Sequence, residues 1–218
     1  MMGEVCRGEE EGLGVIDLIV KGGICMYPII LCSILALAIL LERLWVLRRR
    51  SILPADFLHK VEDLLRNRKI AEAVFLSQGE PSPIGKILHA GLKNAGRGMW
   101  LVKEAIEERG GREALALEKH VGILSTLANL VTLLGLLGTV TGMIKCFNVI
   151  SVQGSGNPAN LAGGIAEALI TTAAGLFIAI PTLACHRVLK DKAESLVFEM
   201  EESSVRIIEI MEKYGTED

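Results

Sequence analysis

The chain has 218 residues, of which half are hydrophobic, and it carries a net charge of −3. With so small a charge and only 4% aromatic residues, it lacks the basic stripe and stacking side chains of a nucleic-acid-binding protein. The hydrophobic residues are concentrated in a few long runs, and this distribution argues against a soluble protein.

Three of these runs are long enough to cross a membrane. Residues 24–41 and 121–144 contain no charged side chain, and residues 161–185 contain the single acid Glu167. Because about 20 helical residues cross the hydrocarbon core of a bilayer, each run predicts a transmembrane helix. The first run is not typical of a signal peptide, since acidic residues precede it. The predicted fold class is an all-α integral membrane protein.

Flanking charges predict the orientation of the three spans. Arginines at 43 and 48–50 follow the first run, and Arg187, Lys190 and Lys192 follow the third. Basic residues accumulate on the cytoplasmic side, so the N-terminus is predicted outside and the C-terminus inside. The predicted organisation is a periplasmic N-terminal segment (1–23), a first span (24–41), a cytoplasmic helical domain (42–120), a second span (121–144), a periplasmic loop (145–160), a third span (161–185) and a cytoplasmic helical tail (186–218).

The cytoplasmic domain is predicted to be helical. Apolar residues recur at three- and four-residue spacing over 52–65 and 70–76, and the pattern resumes over 101–120. Between them, "SQGEPSP" at 77–83 is a helix breaker. "RGG" at 109–111 weakens the last helix, which is nevertheless expected to continue into the second span.

The tail is predicted to be an amphipathic helix. One apolar stripe opposes a row of glutamates. The stripe consists of Leu189, Ala193, Leu196, Met200, Ile207 and Met211. A continuous helix over 161–213, which Pro181 can kink, is expected to form a cytoplasmic stalk. The alternative is an amphipathic helix that lies on its own domain.

Cysteines and histidines indicate neither an enzyme nor a metal site. The five cysteines follow no metal-ligand or disulfide-framework spacing, although Cys6 and Cys146 could both face an oxidising compartment and pair there. The four histidines are isolated from one another, and no nucleophile motif, zinc motif or phosphate loop accompanies them. We therefore predict no cofactor and no catalytic residue.

The second span has a polar seam of small residues. Ser125, Thr132, Thr139 and Cys146 are seven residues apart, which places them on one side of a helix. Asn129 flanks this seam on one side, and Gly135 and Gly142 flank it on the other. Small residues allow close helix packing, and hydroxyl groups can hydrogen-bond between helices. The seam is interpreted either as a pore lining or as a packing surface without a transport role.

The third span carries Glu167 on a similar surface. Gly163, Glu167, Thr171 and Gly175 follow each other at intervals of four residues. Acids within a span are rare, and they usually face a bundle interior or a wet cavity. A carboxyl group that holds or releases a proton beside a hydroxyl-lined surface is what a proton relay requires. The alternatives are a helix-packing hydrogen bond and an acid near the outer interface.

Two sequence segments carry a resemblance to a known family. "GLLGTVTGMIKCF" at 135–147 and "GSGNPANLAGGIAEALITTAAGLFIAIP" at 154–181, with the three-span layout, resemble the ExbB/TolQ proton-channel family and, more distantly, the MotA flagellar stators. The resemblance is specific over 121–190. It implies a homopentameric ring around a central pore in the inner membrane of Gram-negative bacteria. It also implies a single-span partner of the ExbD/TolR type with an essential Asp, and a TonB- or TolA-like energy transducer.

The resemblance assigns roles to individual residues. Glu167 matches the acid of the family's "AEAL" motif, Thr139 matches the Thr of "GTV", and Thr172 matches the Thr five residues after the acid. Thr171 is an additional hydroxyl. The MotA branch is disfavoured because its members have four spans and lack this acid, and the short acidic N-terminus differs from the long outside extension of some members.

These observations lead to three hypotheses. The first is a proton-conducting stator subunit that serves TonB-dependent transport, TolQ-like envelope maintenance or a gliding-type motor. The second is a passive oligomeric membrane scaffold. The third, a membrane enzyme or secondary transporter, is disfavoured because three unlike spans show no internal repeat. The resemblance favours H⁺ as the carried ion, while a Glu with two Thr leaves Na⁺ open.

Overall fold

The computed structural model describes residues 20–153 and 158–215, and its secondary structure within these ranges is entirely helical. The helices are α1 (Met26–Val46), α2 (Arg49–Ile52), α3 (Ala55–Arg66), α4 (Ile70–Gln78), α5 (Pro83–Leu92), α6 (Met99–Gln153) and α7 (Pro158–Gly215), with a 3₁₀ turn at Ala95–Arg97 between α5 and α6. Most of the N-terminal segment lies outside these ranges. The predicted pairing of Cys6 with Cys146 therefore falls outside the described residues.

Three helices are long and apolar enough to cross a membrane. They comprise Met26–Val46, Met99–Ser151 and Ala162–Tyr214, and they contain most of the three runs predicted to span. Large apolar side chains on all three are exposed, which suits contact with lipid. Leu31, Ile34, Leu133, Leu169 and Phe177 are examples. The expected all-helical fold with three apolar spans is confirmed.

Helices α6 and α7 are each longer than the span they contain. α6 continues through Gly110 and Gly111, as expected, and extends to Gln153. The connection predicted as a loop over 145–160 is therefore helical over its first nine residues, 145–153, and again from Pro158. α7 is continuous through Pro181, where Thr182 Oγ1 donates a hydrogen bond to the carbonyl oxygen of Ile178 at 2.7 Å.

The chain divides into two compact units, and the first contains residues up to 38 together with 124–184. Its hydrophobic core joins α1 to α6 through buried Ile29, Cys32 and Val131. Leu127, Leu134 and Ile178 pack around this cluster. The first span therefore packs against one side of α6, and α7 contributes to the same core.

Within the first unit, α6 and α7 approach each other through small residues. A Cβ atom added to Gly142 would lie 2.8 Å from both the Ala168 Cβ and the Gly164 carbonyl oxygen. One added to Gly175 would lie 3.0 Å from the carbonyl oxygen of Val131. At Gly138 it would collide with the Thr171 side chain. Glycine at these positions allows the close backbone contact that small-residue motifs provide between membrane helices.

The second unit contains residues 39–123 and 185–218. The tail stripe is buried here, since all six of its predicted residues are at most 3% exposed. Ion pairs join the tail to the other helices of the unit: Arg49 to Glu199 at 2.6 Å and Lys103 to Glu212 at 2.6 Å. The tail thus packs on its own domain, which was the alternative interpretation, although its helix is continuous as the stalk hypothesis required.

The second unit also contains a helix that the sequence pattern did not predict. The breaker over 77–83 does interrupt the chain, because α4 ends at Gln78. Pro83 then begins α5, and Ser82 caps it by accepting a hydrogen bond from the Gly85 amide at 3.2 Å.

The α6–α7 contact generates a stability prediction. We expect Gly142→Ala to lower the unfolding temperature of the detergent-solubilised protein, because the added methyl group forces the helices apart at a cost of about 1–3 kcal/mol. Gly163→Ala is the matched control, since no atom lies within 4 Å of its added Cβ. Equal unfolding temperatures for the two variants would show that Gly142 is not at a tight contact.

Candidate ion-pathway site

Glu167 of α7 forms an ion pair with Lys145 of α6. The Lys145 Nζ donates to the Glu167 Oε1 at 2.5 Å. The glutamate side chain is 16% exposed, whereas the lysine side chain is 52% exposed. The carboxylate is therefore mostly buried, and the half-exposed Lys145 side chain reaches it from α6. Pairing reduces the cost of placing an ionised group in an apolar segment.

Gly23 covers the carboxylate from the segment that precedes α1. A Cβ added to Gly23 would overlap the Glu167 carboxylate, with the Glu167 Cδ only 2.8 Å away. Gly23 also has a φ of +66°, in the left-handed region that favours glycine. The backbone conformation thus favours glycine here, and the absence of a side chain leaves room for the carboxylate in this position. The carboxylate lies between this backbone, α6 and its own helix.

Thr171 does not line the same surface as Glu167. Its side chain is fully buried against Gly138, between α6 and α7. Its Oγ1 donates within its own helix, to the carbonyl oxygens of Glu167 at 3.0 Å and Ala168 at 2.9 Å. A step of four residues rotates by about 40° around a helix, so a row at this spacing drifts from one side to another. The expected hydroxyl beside the carboxylate is instead part of the helix contact.

Thr172 and Thr139 also make their hydrogen bonds elsewhere. Thr172 Oγ1 donates across the helix contact to the carbonyl oxygen of Gly135 at 2.9 Å. Thr139 Oγ1 donates to the carbonyl oxygen of Leu136 in its own helix at 2.6 Å. Thr172 is five residues after Glu167, a rotation of about 140° on α7. Within one copy of the chain, the two matched threonines lie on the opposite flank of the α6–α7 contact from Glu167.

The other predicted residues fall into two groups. Gly135, Gly142 and Gly175 are buried in the α6–α7 contact, where they allow the close approach. The remaining predicted residues are half-buried or exposed: Ser125, Asn129, Thr132 and Gly163. Thr132 Oγ1 donates to the Ala128 carbonyl oxygen of its own helix at 3.0 Å. The seam of the second span is therefore on the flank of Thr139, and its hydroxyls remain partly accessible.

Sequence reasoning missed Lys145 and Gly23. Lys145 directly follows the uncharged run 121–144, and it was assigned to a loop because the run ended there. No glycine or proline lies between Lys145 and Gln153, so nothing in the sequence required the helix to end at residue 144. Gly23 lay just before the first run, and nothing in its local sequence indicates contact with a residue so distant in the chain.

The geometry at Thr172 generates a prediction. We expect Thr172→Val to destabilise the protein by about 0.5–1.5 kcal/mol, because it removes a hydrogen bond between two helices. Thr172→Ser retains the hydroxyl and should lose less, while Thr139→Val removes only a bond within one helix. Thermal unfolding of the three purified variants measures the difference. If Thr172→Val is as stable as wild type, the hydrogen bond between the two helices does not contribute to stability.

Comparison with known proteins assigns this chain to a family. The family model described as the MotA/TolQ/ExbB proton channel family matches residues 80–202, which is more than half of the chain. The chain is 39% identical to the ExbB-like 1 biopolymer transport protein of Synechocystis sp. over 187 residues, covering 80% of this chain and 70% of the relative. It is 30% identical to the biopolymer transport protein exbB1 of Vibrio cholerae over 82% of this chain and 80% of the relative.

A third relative belongs to another system. The Tol-Pal system protein TolQ of Haemophilus influenzae is 39% identical over 85 residues, covering 39% of this chain and 37% of the relative. The resemblance noted in the sequence is thus confirmed by a model match and by relatives of both types. The chain belongs to the MotA/TolQ/ExbB proton channel family.

Proposed function

We propose that this chain is the proton-conducting stator subunit of an inner-membrane motor that couples the proton-motive force to an envelope process. The observation that carries the proposal is Glu167. It is an acid within an apolar span, its side chain is 16% exposed, and its partner is a lysine rather than lipid. An ionisable side chain within a membrane span is costly and rare, and such residues usually belong to an ion pathway or another functional site.

The proposed complex is a homopentameric ring in the inner membrane of a Gram-negative bacterium. The N-terminus is periplasmic. The parts of α6 before the second span (99–120) and of α7 after the third span (186–215) are cytoplasmic. A repeated heterologous contact closes identical subunits into a ring. Because Glu167 and the Thr139/Thr172 pair lie on opposite flanks of one copy's helix contact, a pathway that uses both would combine groups from neighbouring copies. A single-span ExbD/TolR-type partner contributes an Asp in the pore.

Among the systems of this family, TonB-dependent outer-membrane transport is the proposed one. The ExbB-type relatives described above align over most of this chain, whereas the TolQ relative aligns over less than half of it. The long alignments with the two ExbB-type relatives support an ExbB-type role with a TonB-like transducer. TolQ-like envelope maintenance with a TolA-like transducer and a gliding-type motor are the alternatives, and the partner genes beside this one distinguish them.

A passive scaffold is the second candidate function. It is supported by the buried tail stripe and by the small-residue contact of α6 and α7, because these contacts stabilise one copy of the chain without any ion flow. In that case Glu167 would be a packing residue, and Glu167→Ala would leave the energised process intact. Substitutions of Leu196 or Met200 in the tail stripe would be harmful under both hypotheses, because these side chains are buried.

Proton flux distinguishes the two functions. In liposomes that hold this protein with its genomically adjacent single-span partner, we expect Glu167→Gln to reduce flux about 100-fold, as loss of a positioned acid–base group typically does. The amide keeps the shape of the side chain but cannot take up or release a proton.

The control for this measurement is Glu199→Gln, which removes another ion-paired acid, the partner of Arg49 in the second unit. Its flux should equal that of the wild type. Wild-type flux in Glu167→Gln, with the complex intact by size-exclusion chromatography, would refute an ion-path role for Glu167.

A further inference from the structure

We propose that Lys145 is the counter-cation of Glu167. Its ammonium group keeps the carboxylate accessible to protons and excludes metal cations such as Na⁺. This inference rests on the proposed function, because it assigns the ion selectivity of the same site. The ion pair is the juxtaposition that carries it: the Lys145 Nζ lies 2.5 Å from the Glu167 Oε1.

The surroundings of the carboxylate leave Lys145 as its charged partner. From α6 the contacting group is Lys145, and from the segment before α1 it is the backbone of Gly23. On α7 itself, the residues three and four positions away carry no charge: Gly163, Gly164, Ile170 and Thr171. Within residues 20–153 and 158–215, the charged group that contacts the carboxylate is therefore the Lys145 ammonium.

A metal cation and a proton differ in what they require here. A metal cation must approach an ionised carboxylate and collect further oxygen ligands. The ammonium already occupies that position and repels a second positive charge at short range. The Thr171 hydroxyl, one turn further along α7, is buried and directed to the carbonyl oxygens of its own helix, so it does not complete a ligand set.

A proton binds to the carboxylate itself and makes it neutral. The attraction for the ammonium then falls, and the flexible lysine stem, which is half exposed in one copy of the chain, can move away from the carboxylate. Deprotonation restores the carboxylate and recaptures the ammonium. The pair thus has two states that differ by one proton: an ion pair without net charge, and a neutral carboxyl beside an ammonium with one net positive charge.

Carbodiimide labelling tests this assignment without measuring flux. Dicyclohexylcarbodiimide modifies protonated carboxyl groups in apolar surroundings, and mass spectrometry of the peptide that contains Glu167 quantifies the product. The full-length protein is reconstituted in phosphatidylethanolamine–phosphatidylglycerol vesicles. Labelling is followed in sodium chloride and in choline chloride at equal ionic strength, for wild type, Lys145→Met, Lys145→Gln and Lys145→Arg.

For wild type and for Lys145→Arg, we expect the rate of labelling in sodium chloride to equal the rate in choline chloride. In choline, Lys145→Met and Lys145→Gln should label about three to ten times faster, the factor that loss of an ion pair of this exposure gives. In sodium, their labelling should slow, because Na⁺ can now approach the carboxylate. Lys69→Met is the matched control, since it removes a lysine paired with Glu72 in the second unit and should behave as wild type.

Three outcomes would overturn the assignment. These are sodium protection of the wild type, wild-type labelling in both Lys145→Met and Lys145→Gln, and absence of labelling at Glu167 in every variant. Failure of the proposed function is a separate result, because it appears as undiminished flux in Glu167→Gln. If flux is lost in Glu167→Gln while labelling is unchanged in Lys145→Met, Glu167 remains in the ion path and only the role of Lys145 fails.

Discussion

The close contact of α6 with α7 is the constraint on which the first unit depends. At Gly138, Gly142 and Gly175 the two backbones approach so closely that a methyl group would collide with the facing helix. This contact fixes the rotation of each helix about its own axis. It thereby decides that Glu167 faces Lys145 on one flank while Thr139 and Thr172 lie on the other. The chemistry of the site follows from where glycines permit two helices to meet.

Much of the fold could be predicted from the sequence, because apolar runs of span length and helical periodicity are strong local signals. The three spans, the continuity of α6 through Gly110 and Gly111, and the break before Pro83 were all predicted. Helix α5 was missed, and the loop after the second span was placed too early. Helix α5 has a helical spacing of buried Ile84, Leu88 and Leu92, and no glycine or proline interrupts α6 between 145 and 153.

The candidate site could be predicted only in part. Glu167 was identifiable because an acid in an apolar run is rare. Spacing by four residues places Thr171 one turn from Glu167, but packing decides which residues are covered, and α6 covers the Thr171 side chain. Lys145 lies just beyond the apolar run of the second span, so the run alone does not predict that its side chain reaches Glu167. A contact between residues 22 positions apart requires the relative rotation of two helices, which local sequence does not determine.

Pro181 within α7 has a consequence for what surrounds the third span. Proline has no amide hydrogen, so the carbonyl oxygen of Phe177 cannot receive its usual bond from four residues further along the helix. In hydrocarbon, an oxygen without a donor costs several kcal/mol. Lipid tails offer no donor, so a local change of the helix, a neighbouring hydroxyl, water or another polypeptide must supply one. The turn before Pro181 is thus the place where α7 can bend, because one hydrogen bond of its backbone ladder is missing there.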